Sequence, residues 1–446
     1  MVFSPKLVML INTYMKLQKS SNLNPFGGLN FVMEELDRQK IGTFLNKELP
    51  AFSKQSRYSW RDLLYSYWSV FYCGGDCAED LSDNFKSSLS LIPYFSVPSP
   101  DRVLNRMKEI ANPSIKFKPK RAKFNHEFAI EPKLNNLNLK LLKRLFPKDF
   151  ERELTLDYDN TICYTGKEDA LRTYKHETGY QPGVGFIGSK VVYVENRNGN
   201  STAHVLQEDT LKRMFELLLE NNISISKFRG DSASYNWRTI QTIDKYTNTF
   251  YVRARMSHTV EGAISKIKKW ESVGDPSHGI YRGETIFTPF SGAARDSDEF
   301  KDLKQYRLIV TKEKRRDGQL NLFTSEAFFY SMILTNDFEK STDDVVFFYN
   351  NRGAIEREFE VLKYDFGWNK LPFSKLAENN VYLLVTAMCK NIYHYLINHF
   401  SKTVLNLRPT FRLKKFIFRF ITIPAKWIKK SRQNYLKIYG NIAFKT

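Results

Sequence analysis

The sequence predicts an α/β fold in which strands and helices alternate through the middle of the chain, with a mainly helical segment before them and a basic region after. Three observations carry this. Leu154, Leu156 and Tyr158 alternate with Thr155, Asp157 and Asp159, the period-two signature of a strand with one polar face. An extended run over 190–195 precedes a helical pattern over 208–220, through Leu211, Phe215 and Leu218, and a second strand over 223–228 ends in Arg229-Gly230-Asp231-Ser232. Residues 249–336 carry strand-like runs at 250–252, 306–310 and 320–323, the last two separated by the turn signal Asp317-Gly318, before a helical pattern over 343–364 that Gly367 closes.

The flanking regions follow from local signals. Before residue 110, apolar periodic stretches alternate with turns such as Pro25-Phe26-Gly27-Gly28, and Ser99-Pro100-Asp101 reads as a helix start with Ser99 as cap and Pro100 at the first helical position. A basic strip follows, Lys116, Lys118, Lys120, Arg121 and Lys123 interleaved with Phe117 and Phe124, which reads as a linker that also touches phosphate. Residues 401–446 hold twelve Lys or Arg and no Asp or Glu, so more than half of the net charge of +20 sits in the last tenth of the chain. Three readings of that tail stand side by side: Phe416, Phe418, Phe420 and Ile421 pack while the lysines are solvated, the segment lies on a membrane surface, or it contacts DNA, the preferred reading.

Composition excludes several classes. At 446 residues and 42 % hydrophobic content the chain can bury several cores without disulfide or metal staples. The apolar run 381–389 stops at Lys390 and 411–428 is broken by five cations, so no bilayer span is expected. Leu7–Ile11 is too brief for a signal-peptide core. The four cysteines, Cys73, Cys77, Cys163 and Cys389, fit free thiols in a reducing compartment, the Cys-x3-Cys pair supplying at most half a zinc site. Gly183-Val184-Gly185-Phe186-Ile187-Gly188 matches a dinucleotide fingerprint, but β-branched residues rather than a helix follow it. His394 and His399, five residues apart, read as packing or surface groups, and Asn200-Ser201-Thr202 as a turn.

The chemistry-bearing pattern lies in the last of these helices. Taking about 100° per residue from Tyr349, the residues Arg352, Glu356 and Lys363 fall with it inside an arc about 60° wide. Ile355, Phe359 and Leu362 form an adjoining apolar stripe that would dock the helix on a sheet. Taken alone, Arg352 and Glu356 are an ordinary i,i+4 pair.

The spacing Tyr-x2-Arg-x3-Glu-x6-Lys, with Asp159-Asn160-Thr161 and Arg229–Ser232 upstream, resembles the DDE insertion-sequence transposases of the branch with a YREK signature. Gly179–Pro182 and Leu362–Gly367 extend the likeness, which runs from roughly residue 20 to 400. The resemblance implies an RNase H-like catalytic core with a β-rich insertion, in which Asp159, Asp231 and Glu356 are the catalytic residues and hold Mg2+, with Mn2+ able to substitute. It also implies that Arg352 and Lys363 contact phosphate near the element's end, with Tyr349 close to the same strand. The residue types suit these roles: Mg2+ prefers hard oxygen ligands, two such ions about 3.5–4 Å apart can activate the attacking oxygen and stabilise the leaving one, and Arg offers phosphate a fork. Lying 72 and 125 residues apart, the acids can meet only through folding. Alternation cannot separate Asp157 from Asp159; the family's Asp-x-Thr pattern favours Asp159.

The expected organisation is therefore a mainly helical DNA-binding domain and basic linker over 1–125, the first part of the core over 150–245, the insertion over 246–338, the second part with the Glu356 helix over 339–400, and the tail over 401–446. The expected function is a transposase that binds the terminal inverted repeats of its own element and catalyses metal-dependent DNA cleavage and strand transfer. It would act in the cytoplasm at the nucleoid, on double-stranded DNA, as a homodimer, and without a membrane. A stand-alone RNase H-like nuclease and an inactive transposase-derived DNA-binding protein are the rival readings.

Overall fold

The computed structural model describes residues 21–118, 124–291 and 304–440. Helices come first: α1 (Gly28–Arg38), α2 (Ile41–Glu48), α3 (Trp60–Tyr72) and α4 (Pro100–Glu109). Ser59 opens α3 with a capping box to Asp62, and Ser99 caps α4 as the sequence requires, its side chain accepting from the Arg102 amide. The short strands β1 (Ile115–Phe117) and β2 (His126–Ala129) follow, then α5 (Pro132–Leu145). Lys120, Arg121 and Lys123 of the basic strip lie outside the described residues.

The central strands are β3 (Thr155–Asn160), β4 (Gly183–Ile187), β5 (Lys190–Arg197), β6 (Lys227–Gly230) and β7 (Thr249–Ala254), with α6 (Gln207–Glu220) between β5 and β6 and α7 (Trp237–Tyr246) between β6 and β7. Their order in the sheet is β5-β4-β3-β6-β7, and β3, β6 and β7 run parallel while β4 alone runs against the others. Counted from β3, the order is 3-2-1-4-5 with the second strand reversed, the arrangement of an RNase H-like core. The glycine-rich run 183–188 is β4 and a turn at Gly188 (φ 59°) into β5, with no helix to receive a phosphate. Gly183 serves packing instead, since a Cβ there would lie 2.0 Å from the Tyr158 hydroxyl.

Three antiparallel strands, β8 (Ile280–Phe287), β9 (Tyr306–Lys314) and β10 (Phe328–Thr335), continue the same sheet, with β10 paired to β7. The partner of β9 is thus not 320–323, as the sequence pattern had it. Pairing with 328–335 buries Met332, Ile333 and Leu334, whereas Leu320 and Leu322 remain 62 % and 94 % exposed in the connecting loop. Asp317-Gly318 turns inside that loop, which the Arg315 amide closes on the Ala327 carbonyl. The strand expected at 223–228 is likewise shorter, beginning at Lys227, with Ile223 and Ile225 buried ahead of it.

After the sheet come α8 (Thr342–Asn350), α9 (Ala354–Asp365) and the long α10 (Leu376–Phe400). Helix α10 is buried nearly all round, which explains its lack of amphipathic periodicity. Polar side chains of α10 and α5 complete β5. Strand β2 pairs with β5 only at Asn196 and Arg197, so the rest of that edge would leave backbone groups unmet. Asn391 accepts from the Val191 amide and, with Asn138, donates to its carbonyl, and Asn135 accepts from and donates to Val194. Helices α1, α3, α5, α9 and α10 share one apolar core, with Trp68 and Tyr72 donating to the Val385 and Cys389 carbonyls of α10. Among the described residues no helix is long and apolar enough to cross a membrane.

The basic tail is partly folded. Phe416, Phe420 and Ile421 are buried against Phe400, leaving Phe418 67 % exposed, and the hairpin of β11 (Ala425–Lys430) and β12 (Gln433–Ile438) docks on α1 through Trp427 and Asn30. The packing reading thus holds for three of the four apolar residues, while most cations of the tail stand in solvent. Gly28 is where α1 passes beneath this segment, a Cβ there falling 1.8 Å from the Phe420 carbonyl oxygen.

His394 of α10 contacts Ser189 and is held down to about 4 by burial, with Lys390 and Lys190 adding. The native state keeps the ring neutral while the unfolded chain protonates it below about 6.5, so this group withdraws stability as pH falls from 6.5 towards 4. In His394→Gln, the loss of unfolding free energy between those pH values, read from urea titrations, should shrink by roughly 2–3 kcal/mol; equal slopes in the two proteins would refute the assignment.

Candidate active site

The site is set by the register of two parallel strands. Asp157 pairs with Arg229 and Tyr158 with Gly230, so the next residues along, Asp159 and Asp231, stand beside each other where β3 and β6 end. Asp231 also caps the tight turn Ser232–Ser234, accepting from the Ala233 amide at 3.0 Å. Asp159 accepts from the Asn160 amide at 2.8 Å, and its side chain is 21 % exposed. Burial pushes the Asp159 carboxyl up to about 6, Arg352 opposing this and the neighbouring Asp231 charge adding to it.

Asp157 is differently employed. Both of its oxygens accept from Arg229, at 2.6 and 2.7 Å, and it is 2 % exposed. The two aspartates differ in their partners: Asp157 is locked in a bidentate pair, and Asp159 faces Asp231 and Arg352.

The helical segment expected over 343–364 is broken. Asn351–Gly353 form a 3-10 turn between α8 and α9, and a turn of three residues per revolution advances the phase by roughly 60° relative to a continuous helix. Tyr349, Arg352, Glu356 and Lys363 therefore do not form one stripe. Tyr349 is 7 % exposed and its hydroxyl donates to the Gly230 carbonyl at 3.3 Å. Arg352 lies in the turn itself, with Nη2 2.8 Å from Asp159 Oδ2. Its Nε and Nη2 hydrogens are buried without being aligned on an acceptor among the described residues. Glu356, in the first turn of α9, is exposed. Lys363, further along, is near enough to Cys163 for its charge to oppose the burial that pushes that thiol up to about 12. The apolar stripe does dock: Ile355, Phe359 and Leu362 are buried, with the Phe359 ring edge-on to Phe186 of β4 at 5.2 Å.

The structure thus brings Asp159, Asp231, Tyr349 and Arg352 together, while Glu356 stands exposed on α9. Among the described residues, the three acids do not gather within the 4.8 Å that encloses Asp76, Cys77 and Asp80. That second cluster is a loop closure, with Asp80 accepting from the Asp76 and Cys77 amides and from Asn84. Sequence reasoning missed the Asp157–Arg229 pair, although a signal existed: each precedes its aspartate by two residues, the same offset on both strands.

Residues 27–446 match the model of the family described as transposase DDE domain, group 1. The chain belongs to that family. No protein of curated function matches the sequence. Among solved structures, the transposase resembles the piggyBac transposase synaptic complex with hairpin DNA, at 14 % identity over 93 % of this chain and 81 % of that one, TM-score 0.43. It also resembles the Mos1 transposase paired-end complex with left transposon end, at 13 % identity over 54 % of this chain and 69 % of that one, TM-score 0.17.

The two aspartates of β3 should respond oppositely to neutralisation. Burial raises the Asp157 carboxyl as well, but Asp157→Asn leaves Arg229 buried without its bidentate counter-charge, a loss that should outweigh that relief and cost about 3–5 kcal/mol in urea unfolding at pH 8. Because the Asp159 carboxyl is raised from its ordinary 3.8 to about 6, its ionisation costs the native state stability that grows through that window and is complete above it. Asp159→Asn should therefore stabilise the metal-free protein at pH 8 and lose that advantage below pH about 4; destabilisation at pH 8 would show that the pairing with Arg352 outweighs burial.

Proposed function

We propose that this family member is an active transposase that binds the terminal inverted repeats of its own element, cuts the DNA there with water, and joins the freed 3′-hydroxyl to target DNA. The observation that carries the reading is the placing of Asp159 and Asp231 side by side at the ends of adjacent parallel strands, beside the turn that delivers Arg352 and opens the Glu356 helix.

The residues fit a divalent cation. Asp159 and Asp231 are hard oxygen donors crowded together, one of them resisting ionisation, and the one positive charge of Arg352 beside Asp159 does not balance both. Asp159, Asp231 and Glu356 would hold Mg2+, with Mn2+ as substitute. When bound, it would make the attacking oxygen more acidic and stabilise the leaving one. Glu356, in the first turn of α9, has its side chain exposed to solvent and would have to turn towards the aspartates to complete the set. Arg352, ion-paired with Asp159, offers a fork whose geometry suits a phosphate oxygen arriving at the aspartates. Tyr349 holds the turn down on Gly230. Lys363 would contribute a point charge to the same DNA strand, and the exposed cations of the tail and of β1 would add sequence-independent phosphate contacts. Two element ends have to be held together before joining, which calls for a homodimer on DNA, acting in the cytoplasm at the nucleoid.

Supercoiled DNA carrying the element's ends tests this directly. Nicking should require Mg2+ or Mn2+ and vanish in Glu356→Gln while DNA binding persists, and labelled ends should appear joined to target DNA. Cleavage without joining would favour the stand-alone nuclease, and binding without cleavage the inactive descendant. Lys363→Ala should weaken end binding and lower the slope of log affinity against log salt by about one; an unaltered slope would remove Lys363 from the phosphate contacts.

A further inference from the structure

Arg229 has no part in the chemistry just described, yet its three donor groups reach both halves of the site. Nε and Nη2 donate to the two oxygens of Asp157 at 2.6 and 2.7 Å, and Nη1 donates to the Phe348 carbonyl at 2.7 Å. The guanidinium carbon stands 4.9 Å from the centre of the Phe348 ring, which Tyr251 of β7 packs at 4.7 Å. With its side chain 11 % exposed against 3 % for Asp157, this is a buried pair rather than a surface one.

Two consequences follow from where these contacts fall. The first concerns register. Asp157 and Arg229 are direct partners across β3 and β6, two residues before Asp159 and Asp231. A slip by one residue would turn one aspartate to the opposite face of the sheet, and a bidentate pair between directly opposed residues penalises that slip. The second concerns the break between α8 and α9. The Phe348 carbonyl belongs to the last turn of α8, where carbonyls lack intrahelical donors. A side chain anchored on the sheet satisfies it, so the end of α8, and with it Tyr349 and Arg352, is tied to the same residue that fixes the strands.

We propose that Arg229 is a positioning residue, one guanidinium that clamps the β3–β6 register through Asp157 and caps the α8–α9 break through the Phe348 carbonyl, so that Asp159, Asp231 and Arg352 keep a fixed mutual placement. The assignment to catalysis rests on the transposase reading; the mechanical role does not. A lysine cannot reproduce it, having one compact ammonium where the fork makes three directed bonds.

The test uses the full chain carrying Arg229→Lys, with hydrogen exchange followed by mass spectrometry and single-turnover nicking on end DNA. The expected result is exchange about tenfold faster at amides 349–354, with α3, α5 and α10 unchanged. Nicking at saturating DNA and metal should slow by about ten- to a hundredfold while end-DNA affinity holds, because a displaced group costs rate rather than binding. Unchanged exchange at 349–354 would overturn the clamp, as would faster exchange throughout the chain, which would make Arg229 a residue of the fold at large. If Arg229→Lys does not fold, Asp157→Asn/Arg229→Gln, which removes both charges together, decides by the same exchange criterion; failure of both variants to fold also overturns the proposal. If the unmodified protein does not nick DNA, the transposase reading fails while exchange still judges the clamp.

Discussion

The parallel pairing of β3 with β6 is the constraint on which the site depends. These strands are separated by about seventy residues of chain, including the β4–β5 hairpin and α6, yet their register alone decides that Asp159 and Asp231 become neighbours. Parallel strands cannot be joined by a tight turn, so the intervening length is a requirement of the topology. Once the strands are aligned, burial does the rest: it raises the Asp159 carboxyl, the neighbouring Asp231 charge adds to this, and Arg352 opposes it without cancelling it.

A second dependence runs through the α8–α9 break. A continuous helix would carry Arg352 and Glu356 on one face. The 3-10 turn instead sends Arg352 inward to Asp159 while Glu356, on the helix that follows, stays exposed. Helix α9 is held from behind as well, by Phe359 on β4 and by the 2.6 Å ion pair of Glu358 with the buried Lys390 of α10.

Much of this was legible in the residues. The polar face of β3, the order of strands and helices, the Ser99 cap, the Gly367 stop and the apolar stripe of α9 each follow from local chemistry, and each is present in the structure. Leu320 and Leu322 misled because their spacing mimics a strand, while the real partner, 328–335, competes better by burying Met332 and Leu334; only long-range pairing energy separates the two. The helix break was invisible to a periodicity argument, since Asn351 and Gly353 disfavour a helix without dictating a 3-10 turn. The tie from Arg229 to Phe348 joins a strand to a helix end 119 residues away, and no local pattern encodes a contact of that reach. Nor did composition reveal that α10 would be sheathed on all sides, because its asparagines look solvent-seeking until the bare edge of β5 accounts for them.

The continuity of the sheet has a mechanical meaning. Strands β8 to β10 are not hung on a tether; β10 is bonded along β7, which is bonded along β6, so the antiparallel segment and the aspartate strands form a single twisted plank. Bending such a plank across its strands stretches rows of backbone bonds at once, whereas a hinged arm would flex at one loop. Displacement at the far edge is thereby transmitted to the carboxylates rather than absorbed, and a macromolecule that gripped both places would have to adapt its own shape to the protein.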